Sequence, residues 1–169
     1  NPTIEAEVYI KNNSASAICP SGASTGTFEA FEKRDKNNKR YLGKSVLNVV
    51  NLVNTKISKK IKGQSIHNQE RIDTLLINLD GTRQKTNLGA NAMLAVSMAV
   101  KKLSAKVKKL PLYKTFFIKN NFQLPYPLMN IINGGVHANN GLRIQEFMIR
   151  PDKAKSFSEA MRVCFVVIK

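Results

Sequence analysis

The chain has 169 residues, 43% of them hydrophobic and 22% charged, so it is long and apolar enough for one globular domain or slightly more. Its longest apolar run, residues 163–168, is six residues long. A membrane-spanning helix needs roughly 20, so no membrane span is expected. The first residues also lack the charged and then apolar pattern of a secretory signal.

The formal net charge of +16 has two interpretations. It could indicate a nucleic-acid partner or another anionic partner. The 20 lysines greatly outnumber the 7 arginines, and asparagine and isoleucine are frequent, as the codons of an AT-rich genome would favour. Because base-reading proteins rely on arginine and aromatic residues, we favour a solvated lysine-rich surface. Non-specific polyanion binding is expected in either case.

The two cysteines, Cys19 and Cys164, each lie beside apolar residues. They form no CxxC pair of the kind that binds metals or carries out redox chemistry. Isolated thiols of this kind are typical of a reducing compartment, so the sequence predicts a cytoplasmic protein.

The start of the chain is predicted to form a β-hairpin. Residues 3–10 alternate between apolar and polar, which is typical of a half-buried strand. A turn at 11–13 leads to a second strand, 14–19, which ends at Pro20. Residues 28–32 are expected to form a helical turn or a short strand.

Helices are predicted next. Apolar residues recur at helical spacing over 45–62, and a second helix is predicted over 67–79, with Gly81 as its C-terminal cap. A long helix rich in small residues is expected to begin at Asn87. A short helix should follow at 112–117.

Pro125 and Pro127 lie in the best candidate for a domain boundary, which divides the chain into domains 1–124 and 125–169. Beyond it, apolar runs without alternation predict strands that are buried on both faces, as in a barrel or a parallel sheet. These two strands and a final helix are predicted at residues 128–132, 147–149 and 152–169.

Two polar segments are candidates for chemistry. Residues 20–26 include the hydroxyl residues Ser21, Ser24 and Thr25 together with two glycines. Such a loop can close over an anion or place oxygen atoms on a hard cation such as Mg²⁺, although Ser and Gly are equally typical of surface turns.

The second segment follows an apolar run and contains Gly134 and Gly135, then His137, Gln145 and Glu146. A histidine and a carboxylate near a glycine turn can bind phosphate or carboxylate groups and transfer protons. The alternative is a histidine that caps a loop and a glutamate in a surface ion pair.

Four segments together resemble the enolase family of phosphopyruvate hydratases: residues 1–5, 20–26, 87–97 and 129–151. The resemblance runs from end to end in the family's order. It implies an α+β N-terminal capping domain of antiparallel strands and helices, followed by the first strands and helix of an incomplete (β/α)8 barrel. It also implies a cytoplasmic enzyme that is a homodimer when full length.

The same resemblance implies a Mg²⁺-dependent lyase that dehydrates 2-phosphoglycerate to phosphoenolpyruvate. Ser24 matches a serine that contacts Mg²⁺ when its loop closes. His137 matches a histidine that approaches the substrate phosphate or assists proton transfer. Gln145 and Glu146 match residues near the substrate hydroxyl. Ser24 and His137 are therefore expected to face one ion and phosphate site.

The chain also departs from the family pattern. Compared with the family, it is expected to be truncated at both ends and to lack the lysine base, the glutamate acid and the three Mg²⁺ carboxylates. These 169 residues alone are therefore predicted to be inactive. The alternative is a decayed or repurposed basic binding module that uses the capping fold.

Overall fold

The computed structural model describes residues 1–22, 25–36, 39–116 and 122–169. The chain forms two compact units, Asn1–Ile118 and Lys119–Lys169. The domain boundary between residues 124 and 125 stays a prediction. Within the described residues, the helices are too short or too polar to span a bilayer.

The first unit begins with an antiparallel hairpin of β1 (Ile4–Ile10) and β2 (Asn13–Cys19). Ile10 lies opposite Asn13, so two residues connect the strands. Ile4 and Ala6 are buried, whereas Glu5 and Glu7 between them are exposed. This alternation produces the strand because one face packs against the core, and both predicted strands are confirmed.

One continuous helical stretch follows, as the apolar spacing over 45–62 predicts. It consists of α1 (Leu47–Leu52), a π-helical turn (Val53–Ile57) and α2 (Ser58–Ile61). Its first turn is capped from outside the helix, because the Asp35 carboxylate accepts the backbone N–H groups of Leu47 at 2.8 Å and Asn48 at 2.9 Å.

The helix α3 (Gln69–Asp80) has clear signals at both ends. Asn68 Oδ1 accepts the N–H of Arg71 at 2.9 Å, and Gly81 ends the helix in the left-handed conformation with φ of 71°. The predicted helix and its glycine cap are confirmed.

The helix α4 (Ala90–Val107) forms the centre of the first unit and packs against both strands. Its fully buried small residues Ala92, Ala95 and Ala99 allow this close approach. It begins three residues later than predicted, because Gly89 is its N-cap, with φ of 94°. Near its C-terminal end, Lys102 and Lys106 donate to carbonyls of β2, those of Ser16 at 3.1 Å and Ser14 at 2.9 Å.

Two local predictions need correction. Residues 28–32 form no helix or strand: Phe28 lies in a single turn closed by the bond from the Glu29 N–H to Gly26 O, and Phe31 bonds to a distant segment. The N–H of Phe31 donates to Gln84 O at 2.7 Å, and Phe31 O accepts from the N–H of Ala90 at 2.8 Å. The short helix is a 3₁₀ turn at Leu112–Thr115, and residue 117 of that prediction lies outside the described residues.

The second unit contains β3 (Met129–Asn133), β4 (Glu146–Ile149) and α5 (Phe157–Ile168). The strands pair antiparallel, with Asn133 opposite Glu146. The hydroxyl of Ser156 accepts the N–H of Glu159 at 3.1 Å and thereby caps the first turn of α5.

The expectation that these strands are buried on both faces is wrong for the second unit. Ile132 is 47% exposed and Met148 is 48% exposed. The strands pair with each other as an antiparallel hairpin, not as part of a parallel sheet. A two-stranded hairpin cannot cover both of its faces by itself.

Candidate functional site

The candidate site lies on the segment that joins β3 to β4. Its two ends are tied together by backbone hydrogen bonds: the N–H of Gly134 donates to Gln145 O at 2.9 Å, and the N–H of Gly135 donates to Leu142 O at 2.7 Å. These bonds extend the β3–β4 pairing beyond the strands. They place residues 134 and 145 side by side although they are eleven positions apart in the sequence.

Position 134 must be a glycine because the structure leaves no space there for a side chain. A Cβ atom at this position would lie 2.3 Å from the carbonyl oxygen of Ile144 and 2.7 Å from Cβ of Leu142. Contacts this short do not occur without movement of the backbone. The glycine therefore lets the start of the loop lie directly against the residues that precede β4.

The three residues predicted to act on substrate are brought together here. A 3₁₀ turn, Gly135–His137, places the histidine, and the N–H of His137 donates to Gly134 O at 3.0 Å. Nε2 of His137 lies 2.9 Å from Nε2 of Gln145. Its Nδ1 lies 3.4 Å from Oε1 of Glu146. The loop and the first residue of β4 therefore form one polar cluster.

The contacts favour one neutral form of the imidazole. In this orientation the amide of Gln145 donates to an unprotonated Nε2 of His137, so the ring proton lies on Nδ1 and faces the carboxylate of Glu146. The side chains of His137 and Glu146 are 25% and 34% exposed, respectively. The cluster is thus accessible to a ligand, and its imidazole can accept a proton or, once protonated, bind an anion.

Ser24, the predicted metal contact, lies outside the described residues. The described residues on either side of it are anchored by carboxylates. Ser21 Oγ donates to Oε1 of Glu32 at 2.8 Å, and the N–H of Gly26 donates to Oε2 of Glu29 at 2.9 Å. Arg34 donates to both Ser21 and Glu32, and also to the carbonyl oxygens of Pro2 and Lys44.

These anchors were not predicted from the sequence. The available signal was a Glu three positions after Gly26, because a side chain at that spacing can reach back to the free N–H of a turn. The contacts of Arg34 join segments up to 32 residues apart, which local spacing could not indicate.

The described part of the chain contains no group of three or more His, Cys, Asp or Glu side chains that could hold a metal ion. His137 and Glu146 are two potential ligands, fewer than Zn²⁺ sites usually combine, and only Glu146 supplies the oxygen atoms that Mg²⁺ prefers. The described residues therefore do not fit a metal centre, and both Mg²⁺ and the role of Ser24 stay predictions.

Some of the lysines stabilise the fold of the first unit through hydrogen bonds. Five lysine ammonium groups donate to backbone carbonyl oxygens at 2.7–3.2 Å: those of Lys33, Lys85, Lys101, Lys102 and Lys106. These bonds satisfy carbonyls of loops and of the outer edge of β2. A structural role of this kind is compatible with our interpretation of the lysines as surface residues.

Family comparison decides where the chain belongs. The family model of the enolase N-terminal domain matches residues 1–116. The chain belongs to the enolase family. The family model of the enolase C-terminal TIM barrel domain matches residues 121–169. The predicted fold class, an enolase N-terminal domain followed by the start of the barrel domain, is confirmed.

Curated enolases are similar over nearly the whole chain. An enolase from Pelagibacter ubique is 84% identical over 168 residues, which are 99% of this chain and 40% of that protein. An enolase from Methanococcus maripaludis is 54% identical over 97% of the chain, and one from Methanosarcina mazei is 52% identical over 96%. The chain thus spans about two fifths of the length of the curated enolases it matches.

Proposed function

We propose that this chain supplies the N-terminal domain and the first barrel strands of a phosphopyruvate hydratase, a cytoplasmic enzyme that converts 2-phosphoglycerate to phosphoenolpyruvate and water. The observation that carries the proposal is the convergence of His137, Gln145 and Glu146 on one loop of an enolase chain. The resemblance assigns these same three residues to the substrate site.

The reaction breaks one C–H bond and one C–O bond and forms a C=C bond. A base removes the proton next to the substrate carboxylate, and an acid helps the hydroxyl group leave as water. In our proposal the imidazole of His137 binds the substrate phosphate or assists this proton transfer. The Glu146 carboxylate lies 3.4 Å from Nδ1 of this ring. Gln145 and Glu146 lie near the leaving hydroxyl.

Mg²⁺ belongs to this proposal as an ion that would supply positive charge at the substrate site. Ser24 is proposed as one of its contacts. Since the described residues do not form a metal centre, no step assigned above to His137, Gln145 or Glu146 depends on the ion.

We also propose that the activity requires the remaining part of an enolase, as a homodimer, and that these 169 residues alone are inactive. The chain covers 40% of its Pelagibacter relative. By the family resemblance, the lysine base, the glutamate acid and the carboxylate ligands belong to the rest of that length.

A chimera tests the proposal. The part of the Pelagibacter enolase that matches this chain is replaced by this chain, and the protein is produced in a host without its own enolase. We expect the chimera to form phosphoenolpyruvate, measured by ultraviolet absorbance, and the 169-residue chain alone to form none. A folded chimera without turnover, or turnover by the chain alone, would contradict the proposal.

A further inference from the structure

We propose that Asn140 is a positioning residue that holds His137 in place against Gln145. This inference rests on the proposed function, because it concerns the histidine to which that function assigns contact with the substrate. The argument depends on the hydrogen bonds of Asn140 within the loop between β3 and β4.

Asn140 bonds to three parts of this loop. Its side-chain Nδ2 donates to the carbonyl oxygen of Asn133, the last residue of β3, at 2.8 Å. Its Oδ1 accepts the N–H of Leu142 at 3.2 Å. Its own backbone N–H donates to the carbonyl oxygen of Ala138 at 3.0 Å. The residue therefore links the end of β3, the residue after His137 and the segment that returns to β4.

These links determine where the imidazole lies. His137 directly precedes Ala138, and Asn133 lies opposite Glu146 in the strand pair. Asn140 thus connects the backbone next to the histidine to the strand end that faces its carboxylate partner. Loss of the side chain would leave the Asn133 carbonyl and the Leu142 N–H to solvent. The loop could then move, and the 2.9 Å contact of His137 with Gln145 would no longer be fixed.

The neighbouring residue provides a matched control. Asn139 has the same side chain and is also exposed. Its amide makes no hydrogen bond to any of the residues that the structure describes. A substitution at Asn139 therefore removes the same chemical group from the same loop without removing a link.

The first readout is spectroscopic and needs only the 169-residue chain. The sequence contains two histidines, so its imidazole nitrogen resonances are easily assigned. His67 bonds to Ser104 Oγ at 3.1 Å in the first unit and serves as an internal reference. We expect Asn140→Ala to move the His137 nitrogen resonances towards those of a free imidazole with averaged tautomers. Asn139→Ala should leave them unchanged.

The backbone amides of α5 show whether the second unit is still folded. If Asn140→Ala unfolds α5, Asn140→Asp decides by the same readout, because aspartate keeps the acceptor for Leu142 and loses only the donor to Asn133. We expect Asn140→Asp to move the His137 resonances, whereas Asn139→Asp, which adds the same charge without removing a link, should leave them in place.

The second readout is the chimera described above. We expect Asn140→Ala to lower its kcat/KM about tenfold, the order expected for loss of a positioning hydrogen bond, whereas Asn139→Ala stays near the unsubstituted value. If the Asn140 variants match Asn139→Ala in both readouts, the inference is overturned. If the resonances move but the unsubstituted chimera is inactive, the proposed function fails while the positioning role stands.

Discussion

The side-chain amide of Gln145 lies 2.9 Å from Nε2 of His137, although the two residues are eight positions apart in the sequence. The contact exists because backbone bonds from Gly134 and Gly135 close the loop between β3 and β4. It favours the neutral imidazole whose proton lies on Nδ1, on the side of Glu146. This pair is therefore the smallest unit of the candidate site that can be tested by itself.

The first prediction concerns this amide. Gln145→Leu keeps the approximate size of the side chain but removes the donor to Nε2 of His137. We expect the His137 nitrogen resonances to shift and kcat/KM of the chimera to fall about fivefold to tenfold, as loss of one hydrogen bond implies. Gln123→Leu, an exposed substitution in the same unit, should change neither. If the two variants have the same resonances and the same kcat/KM, Gln145 is not part of the site.

The second prediction concerns the glycine that starts the loop. Gly134→Ala would place a methyl group 2.3 Å from Ile144 O, so the loop must move away from the residues before β4. We expect a loss of about 2 kcal/mol in the free energy of unfolding, measured by urea denaturation with α5 amides as the probe.

Gly141→Ala is the matched control for Gly134→Ala. Gly141 also lies in the loop and has φ of 75°, but a Cβ atom there would have no atom within 4 Å. Its substitution should lower the free energy of unfolding by only about 1 kcal/mol, because the alanine backbone is strained at this φ, and should leave the His137 resonances in place. A larger loss at Gly141 than at Gly134 would refute the close-packing explanation.

The third prediction concerns Asp80, which is 1% exposed. Its Oδ2 accepts the N–H of Leu88 at 2.7 Å, and its Oδ1 accepts the N–H of Thr82 at 3.0 Å and also the Thr82 hydroxyl. Asp80→Asn replaces one acceptor oxygen with a donor. We expect it to cost about 2 kcal/mol in the free energy of unfolding, whereas Asp152→Asn, at an exposed site, should change stability little.

Asp80 also gives stability a pH dependence. Burial acts to raise the pKa of its carboxyl, but the hydrogen bonds from Leu88 and Thr82 and the charge of Lys85 lower the pKa below its ordinary value. Its contribution is therefore fully present above the unfolded pKa of about 3.9 and is lost as the pH falls through the lower folded value. Urea midpoints between about pH 6 and about pH 2 should show a smaller acid loss in Asp80→Asn. The same slope in both proteins would contradict this.

The fourth prediction concerns the charge of +16. Retention of the chain on heparin and on DNA columns should fall steeply as the salt concentration rises. The chain should elute from both columns at similar salt concentrations, as expected for binding without partner preference. Replacing Lys59 and Lys60 by Gln, or Lys102 and Lys106 by Gln, should weaken retention equally. Only the second pair should also destabilise the fold, because its ammonium groups bond to carbonyls of β2. Clear selectivity for one polyanion would instead support a basic binding module.

Local patterns predicted much of the first unit. Alternation in residues 3–10 predicted β1 because one face of this strand is buried and the other is exposed. Gly81 predicted the end of α3 because only a residue without Cβ easily adopts φ of 71°. The cluster of His137, Gln145 and Glu146 was predictable as a group because a short loop between two strands brings its ends together.

The features that escaped prediction depend on distant partners. The conformation of Phe31 is determined by Gln84 and Ala90, more than fifty residues away in the sequence. The apolar runs of β3 and β4 indicated burial on both faces, but such runs do not specify what covers the strands. The bonds of Asn140 depend on the exact path of a loop, which composition alone does not determine.

The two histidines of the chain provide the most direct test of the central claim, that His137 lies in the substrate site of an enolase. The measurement is kcat/KM of the chimera carrying either His137→Ala or His67→Ala. We expect His137→Ala to lower it by about 10²-fold to 10⁴-fold, the range for loss of an acid–base group, and His67→Ala to leave it unchanged. Unchanged turnover in a folded His137→Ala chimera would contradict the account.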